Sequence, residues 1–290
     1  MTGLQENSNI NIIGGKVKTR MKKDSVLLVL PTLYIIVFLI IPLISIFILG
    51  IKDENGFTLK YYYQIFTNKV YLKMLLLTIR TSFIVTLCTL VMAYPIAYVM
   101  TICSKRTRAI FNIFVMVPFW SSILVRTYSW IVLLQSKGVV NSMLIQLGII
   151  NEPIKLLYNP ISVTIGMTNA LLPYMILSLY SVLDGIDRNL ILAAKSLGAN
   201  KFTAFFKVYF PLSINGVANG CIMVFVMAMG YYITPALLGG EDTPMISQFI
   251  STQVSKLLNW QVGSAAAFVL LIITMILLNI SNRVLSTKNS

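Results

Sequence analysis

Histidine is missing altogether from the 290 residues, and acidic residues number only nine. The first absence removes the side chain most used for acid–base catalysis near neutral pH and for zinc ligation. Cysteine is scarce too: Cys88, Cys103 and Cys221 are scattered in or beside apolar runs with no Cys-x-x-Cys spacing, so neither a metal site nor a disulfide framework is expected. No Gly-x-x-x-x-Gly-Lys-Ser/Thr segment occurs, which leaves the chain without a P-loop to cradle nucleotide phosphates. Charged residues make up 11%, against about 25% in an ordinary soluble domain. What fills the space is apolar residues, at 57%, and the bilayer becomes the relevant solvent.

Six runs free of charge can each supply a membrane helix: Val26 to Gly50, Thr81 to Ser104, Ala109 to Val125, Leu156 to Leu183, Val208 to Gly240 and Leu257 to Asn282. A hydrocarbon core about 30 Å thick needs about 20 residues at 1.5 Å each, so the third run is expected to continue past Arg126 toward Leu134. The expected class is therefore an all-α polytopic membrane protein with six transmembrane helices. Its parts are an amino-terminal segment (1–25), a six-span domain (26–282) with a long connection at 184–211, and a tail (283–290). The first apolar run is longer than the roughly 7 to 15 residues of a signal peptide, so it reads as an uncleaved span.

The net charge of +14 has a placement that explains it. Assigning ends and loops alternately puts fourteen of the 23 Lys and Arg on the amino-terminal side, in the clusters 16–23, 105–108, 188–207 and 283–288, and seven opposite. Positive charge stays on the cytoplasmic side, so both termini and the loops after the second and fourth spans are expected there. The excess is a topology signal rather than a nucleic-acid footprint.

All nine acids lie in ends or loops: Glu6, Asp24, Asp53, Glu54, Glu152, Asp184, Asp187, Glu241 and Asp242. Ion-coupled carriers commonly hold their ion with a carboxylate or His at membrane depth. A channel or self-sufficient secondary carrier is thus disfavoured, as is a membrane-embedded enzyme. Outer loops of about 20 to 25 residues are too short to fold a solute-binding domain, which takes about 50 or more. Energy and solute capture are both expected from partners.

The most patterned segment is Asp184 to Ser213, which reads as two short helices. Asp187 suits the N-cap of a helix through Leu197, Gly198 the left-handed residue that ends it, and Asn200 the next cap. Phe202, Phe205, Phe206 and Tyr209 recur as one aromatic stripe, and Pro211 marks a stop. Ala193, Ala194, Gly198 and Ala199 are small residues that let another protein approach the backbone closely.

LAAKSLGANKFTAFFKVYFPLS resembles the EAA loop of ABC-importer permeases, whose pattern is Glu-Ala-Ala, three residues, Gly, then Pro-Leu near the next span. Ala193, Ala194, Gly198, Ala199, Pro211 and Leu212 match, while the family's Glu falls on Leu192. VPFWSSILVRTYSW, KGVVN and AMGYYITPALLGG extend the likeness toward the spermidine/putrescine subgroup. The resemblance implies a type I importer permease fold, no catalysis and no cofactor. It implies as partners a second permease subunit, two ATPase subunits and an extracytoplasmic substrate-binding protein, in the cell membrane. Related permeases carry opines, aminoethylphosphonate or anions, so the solute stays open. Asp187, Arg188 and Lys195 are expected to supply the polar part of the ATPase contact.

For the substrate path the sequence offers Trp120, Tyr128, Tyr231 and Tyr232, whose ring faces can hold an ammonium at about 0.5 to 2 kcal/mol each. Packing and the interfacial belt account for such aromatics equally. Asn169 and Thr234 are polar at depth, as path groups or as interhelical hydrogen bonds. Arg126, about 25 Å along a straight helix from Ala109, faces either the path or the outer interface.

Overall fold

The computed structural model describes residues 29, 31–53, 56–240 and 244–286. The expected amino-terminal segment (1–25), residues 287–290 of the tail and the acids Glu54, Glu241 and Asp242 lie outside the described residues. Among the described residues five helices are long and apolar enough to cross a membrane, and one bent pair makes a sixth when it is counted as a single span. The first is α1 (Pro31–Ile51), followed by a two-residue antiparallel hairpin of β1 (Lys52–Asp53) and β2 (Gly56–Phe57). α2 (Lys60–Thr67) leads through an Asn68 cap into α3 (Lys69–Ile102).

α3 crosses with a row of threonines facing inward, and several find a partner within their own helix. Thr78, Thr86 and Thr89 donate back to the carbonyls of Met74, Ser82 and Val85 at 2.8, 2.7 and 2.6 Å. Such back-bonding is how a hydroxyl is satisfied where water is absent. The helix runs unbroken through Pro95.

The third crossing departs from the expected straight rod. α4 (Lys105–Trp120) and α5 (Ile123–Leu134), the latter continued by α6 (Val139–Gln146), meet at a bend of 97°. Pro118 sits in the last turn of α4, and the Ser121 amide reaches back to its carbonyl at 3.4 Å. Ser121 and Ser122 then both take extended backbone, which ends the helix and turns the chain. Arg126 is therefore in the first turn of a new segment, not far along a rod starting at Ala109.

α7 (Pro160–Leu183) begins at a capping box of Asn159 and Ser162 and continues through Pro173. After it come α8 (Arg188–Ser196), α9 (Lys201–Ala204), a π turn (Phe205–Tyr209) and α10 (Phe210–Met229). From Lys201 to Met229 the chain is one continuous span. Pro211 stops nothing, against expectation: the preceding turn is widened, with the Phe210 amide bonding Phe205 five residues back, and proline is tolerated in the first turn after such a widening. The expected fifth run to Gly240 breaks at Gly230, beyond which α11 (Ile233–Leu238) is a separate piece. α12 (Ile246–Ser255) and α13 (Trp260–Ser286) finish the chain.

α3, α7 and α10 form the heart of the bundle, filled by Val85, Met100, Met167, Leu171, Met175 and Leu179. Glycine makes the close approach possible, since a Cβ on Gly216 would lie 2.8 Å from Val182 and one on Gly220 2.7 Å from the Met175 sulfur. A second, smaller core joins α2, α12 and α13 through Ile65, Ile246, Phe249 and Val269.

Candidate translocation path and coupling surface

At one end of the bundle the Asp187 side chain accepts the Asn189 amide at 2.9 Å and starts α8. Gly198 has φ +87°, its amide bonds Lys195 at 2.9 Å, and the Ala199 amide bonds Ala194 at 3.0 Å. This pair of bonds around a left-handed residue closes a helix C-terminus and satisfies two carbonyls. Asn200 then caps the next turn, accepting from Thr203 at 2.7 Å. Ala193, Lys195 and Gly198 are exposed, and Ala194 and Ala199 half-buried. Of Arg188 only the backbone is described. Leu197 is 89% exposed at the tip, an apolar group that none of the described residues covers.

α8 does not sit flat on the bundle. Between them lies a cavity of about 250 Å³, bounded by Tyr98, Thr101, Ile191, Leu192, Lys195 and Tyr209. Its far wall is held by Arg108, which counted in the sequence only as topology charge. The Arg108 guanidinium donates to the carbonyls of Met100 at 3.0 Å and Thr101 at 3.2 Å, pairs with Asp184 at 3.5 Å and lies 5.8 Å from the Tyr180 ring centre. One side chain thus joins the end of α3, the start of α4 and the end of α7. The available signal was a basic residue one turn after a span end, matched by an acid at another span end.

Around the two breaks in the bundle a second group of residues converges. Thr234, 1% exposed in α11, lies with its hydroxyl 3.4 Å from that of Thr127 in α5. The Tyr231 phenol interacts with Thr234 and lies within electrostatic reach of Arg126 and Tyr174. Tyr174 stands edge-on to Phe119 at 4.9 Å. Among the described residues the buried Arg126 Nε has no hydrogen-bond partner, and neither does the buried hydroxyl of Thr168. Arg126, Tyr231 and Thr234 are therefore brought together, with Tyr174 the member that sequence reading missed. By contrast Trp120, 90% exposed beside the bend, and Tyr128, Asn169 and Tyr232 all point outward from this chain. Tyr174 sits in the middle of an apolar run, and only the fold distinguishes it.

A bundle of membrane-length helices with two breaks side by side and an exposed small-residue turn at one end is the architecture of a transport permease. Residues 81–289 match the family described as "binding-protein-dependent transport system inner membrane component", and the chain belongs to it. It is 33% identical over 265 residues to the spermidine/putrescine transport system permease protein PotB of Haemophilus influenzae, covering 88% of this chain and 92% of that one. The Escherichia coli PotB is also 33% identical, over 235 residues, covering 80% and 85%. Among solved structures, a chain of a bacterial alginate ABC transporter in complex with an alginate-bound periplasmic protein superposes with TM-score 0.72 at 18% identity, covering 91% and 95%. The fold is that of a type I ABC importer permease, and the protein is such an importer's transmembrane subunit.

Proposed function

We propose that this permease imports a small polycation of the spermidine and putrescine kind. A second permease chain completes the path, two ATPase subunits drive the complex with α8 as this chain's docking element, and an extracytoplasmic binding protein delivers the solute. The observation that carries the solute is the relatedness along 88% of the chain to a permease named for spermidine and putrescine. In this reading both termini and the 184–211 connection face the cytoplasm, as the positive-inside distribution requires. Asp187, Arg188 and Lys195 make the polar contacts to the ATPase, and Ala193, Ala194, Gly198 and Ala199 permit close approach.

A polycation leaving water needs carboxylates, carbonyls or aromatic faces in exchange. The described spans contain no acid, so the carboxylates come from the second permease or the binding protein. Trp120, Tyr128, Tyr231, Tyr232 and the polar Asn169 and Thr234 supply the rest. A second reading, an anionic or zwitterionic solute, is favoured by one observation: the Arg126 Nε is a buried donor with no acceptor among the described residues. Radiolabelled uptake by the reconstituted complex decides between them. Spermidine or putrescine uptake that falls on Tyr231→Ala and Tyr232→Ala supports the polycation; preference for an anion, lost on Arg126→Ala, replaces it.

A further inference from the structure

From Arg188 to Gly240 the chain holds four basic residues, Arg188, Lys195, Lys201 and Lys207, and no acid. The span that begins at Lys201 is 29 residues long, hence about 43 Å at 1.5 Å per residue, against about 30 Å of hydrocarbon. About nine residues must therefore project beyond the apolar core. They project at the Lys201 end, because the only charges of this helix are Lys201 and Lys207 and hydrocarbon does not accommodate them.

The π turn decides what this projecting segment shows. A regular helix would put Phe202, Phe205, Phe206 and Tyr209 on one face; the widened turn sorts them onto two. Phe205 and Tyr209 turn inward, edge-on to Tyr98 at 5.5 and 5.1 Å. Phe202 and Phe206 turn outward, 77% and 60% exposed, and Phe206 continues toward Phe210 at 6.3 Å. Lys201 and Lys207 are exposed on the same short segment. Apolar rings carried on a helix that is continuous with a membrane span lie at the level where acyl chains meet headgroups, and lysines there reach phosphate. The exposed leucines of α8, Leu190, Leu192 and Leu197, belong to a different element and leave this face unclaimed.

We propose that Lys201 and Lys207, with Phe202 and Phe206 between them, form a binding site for the headgroup of an anionic phospholipid, which fixes the depth of this helix directly after the coupling turn. The inference rests on the membrane span and is independent of which solute is carried. Its test uses the purified complex in nanodiscs of phosphatidylcholine with and without phosphatidylglycerol. Native mass spectrometry reads the lipids retained, and size-exclusion chromatography reads complex integrity. The wild type should retain phosphatidylglycerol preferentially. Lys201→Gln and Lys207→Gln should each weaken that preference on the order of fivefold, the worth of one basic residue at an anionic surface, and Lys201→Arg with Lys207→Arg should preserve it. Both lysines are exposed, so charge removal leaves the core intact. Absence of preference in the wild type overturns the site, as does an unchanged preference in the Gln double variant. Loss of the ATPase subunits from that variant, with lipid retention unaltered, assigns the face to the ATPase instead.

Discussion

Gly198 shows how one residue separates folding from coupling. Its φ of +87° requires the left-handed region, and a Cβ built there would meet nothing within 4 Å. Replacing it costs about 1 to 2 kcal/mol of local backbone strain, but the free chain has room for any side chain. Gly198→Ala should therefore retain most transport, whereas Gly198→Trp should express and insert normally yet lose ATP-driven uptake, because the bulk meets only a docked subunit. ATPase activity and uptake measured together in the reconstituted complex check this; normal uptake in the Trp variant removes the coupling role. Arg108 predicts a different split. Its ion pair with Asp184 is partly exposed, so Asp184→Asn should cost at most about 1 kcal/mol. Arg108→Ala also abandons two carbonyls at the end of α3, and should lower stability by a further 1.5 to 3 kcal/mol, roughly. Thermal unfolding in detergent gives the order of the two variants, and equal losses would show that the carbonyl contacts contribute nothing.

At the scale of elements, glycine sets the spacing of α7 and α10. A Leu at Gly216 would drive side-chain atoms into Val182, already 2.8 Å from a bare Cβ, and overpacking of this kind costs roughly 1 to 3 kcal/mol. Gly216→Leu should thus lower the midpoint of thermal unfolding, while Gly148→Ala, in open space but at φ +69°, should change it less; equal shifts would mean that the notch is not tight. The legible elements are those dictated by local physics. α7 and the apolar stretches of α3 after Arg80 and of α13 before Arg283 stand out as uncharged runs because a span must be apolar through the hydrocarbon, and the end of α8 is legible because Gly198 is followed two residues on by the cap Asn200. The 97° bend is different. Residues on both sides of Ser121 are equally apolar, so hydropathy runs straight through a turn made by two extended serines. The π turn was hidden for a related reason, since the spacing of the four aromatics fits a regular helix better than the helix they occupy. Within the site, Tyr231 comes within electrostatic reach of Arg126 because α5 and α11 lie side by side, a tertiary fact that no local pattern carries.

For the whole molecule, the charge distribution makes a simple forecast. Reporter fusions should place the regions after Lys105 and after Lys195 on the same side as both termini, and a fusion after Ser290 active only outside the membrane would refute the six-crossing arrangement. α1 belongs to the molecule in a looser sense than the other spans. Only 6% of its apolar stretch is buried by the rest of the chain, against 56% for α7. Without water to drive helices together, a span that touches so little of its own chain gains little from packing on it. α1 precedes α3, α7 and α10 along the chain, so it can enter the bilayer as a completed unit before the bundle it accompanies has formed. From that moment the nascent chain is tethered, and α3, α7 and α10 find one another within a two-dimensional leash instead of in open solution.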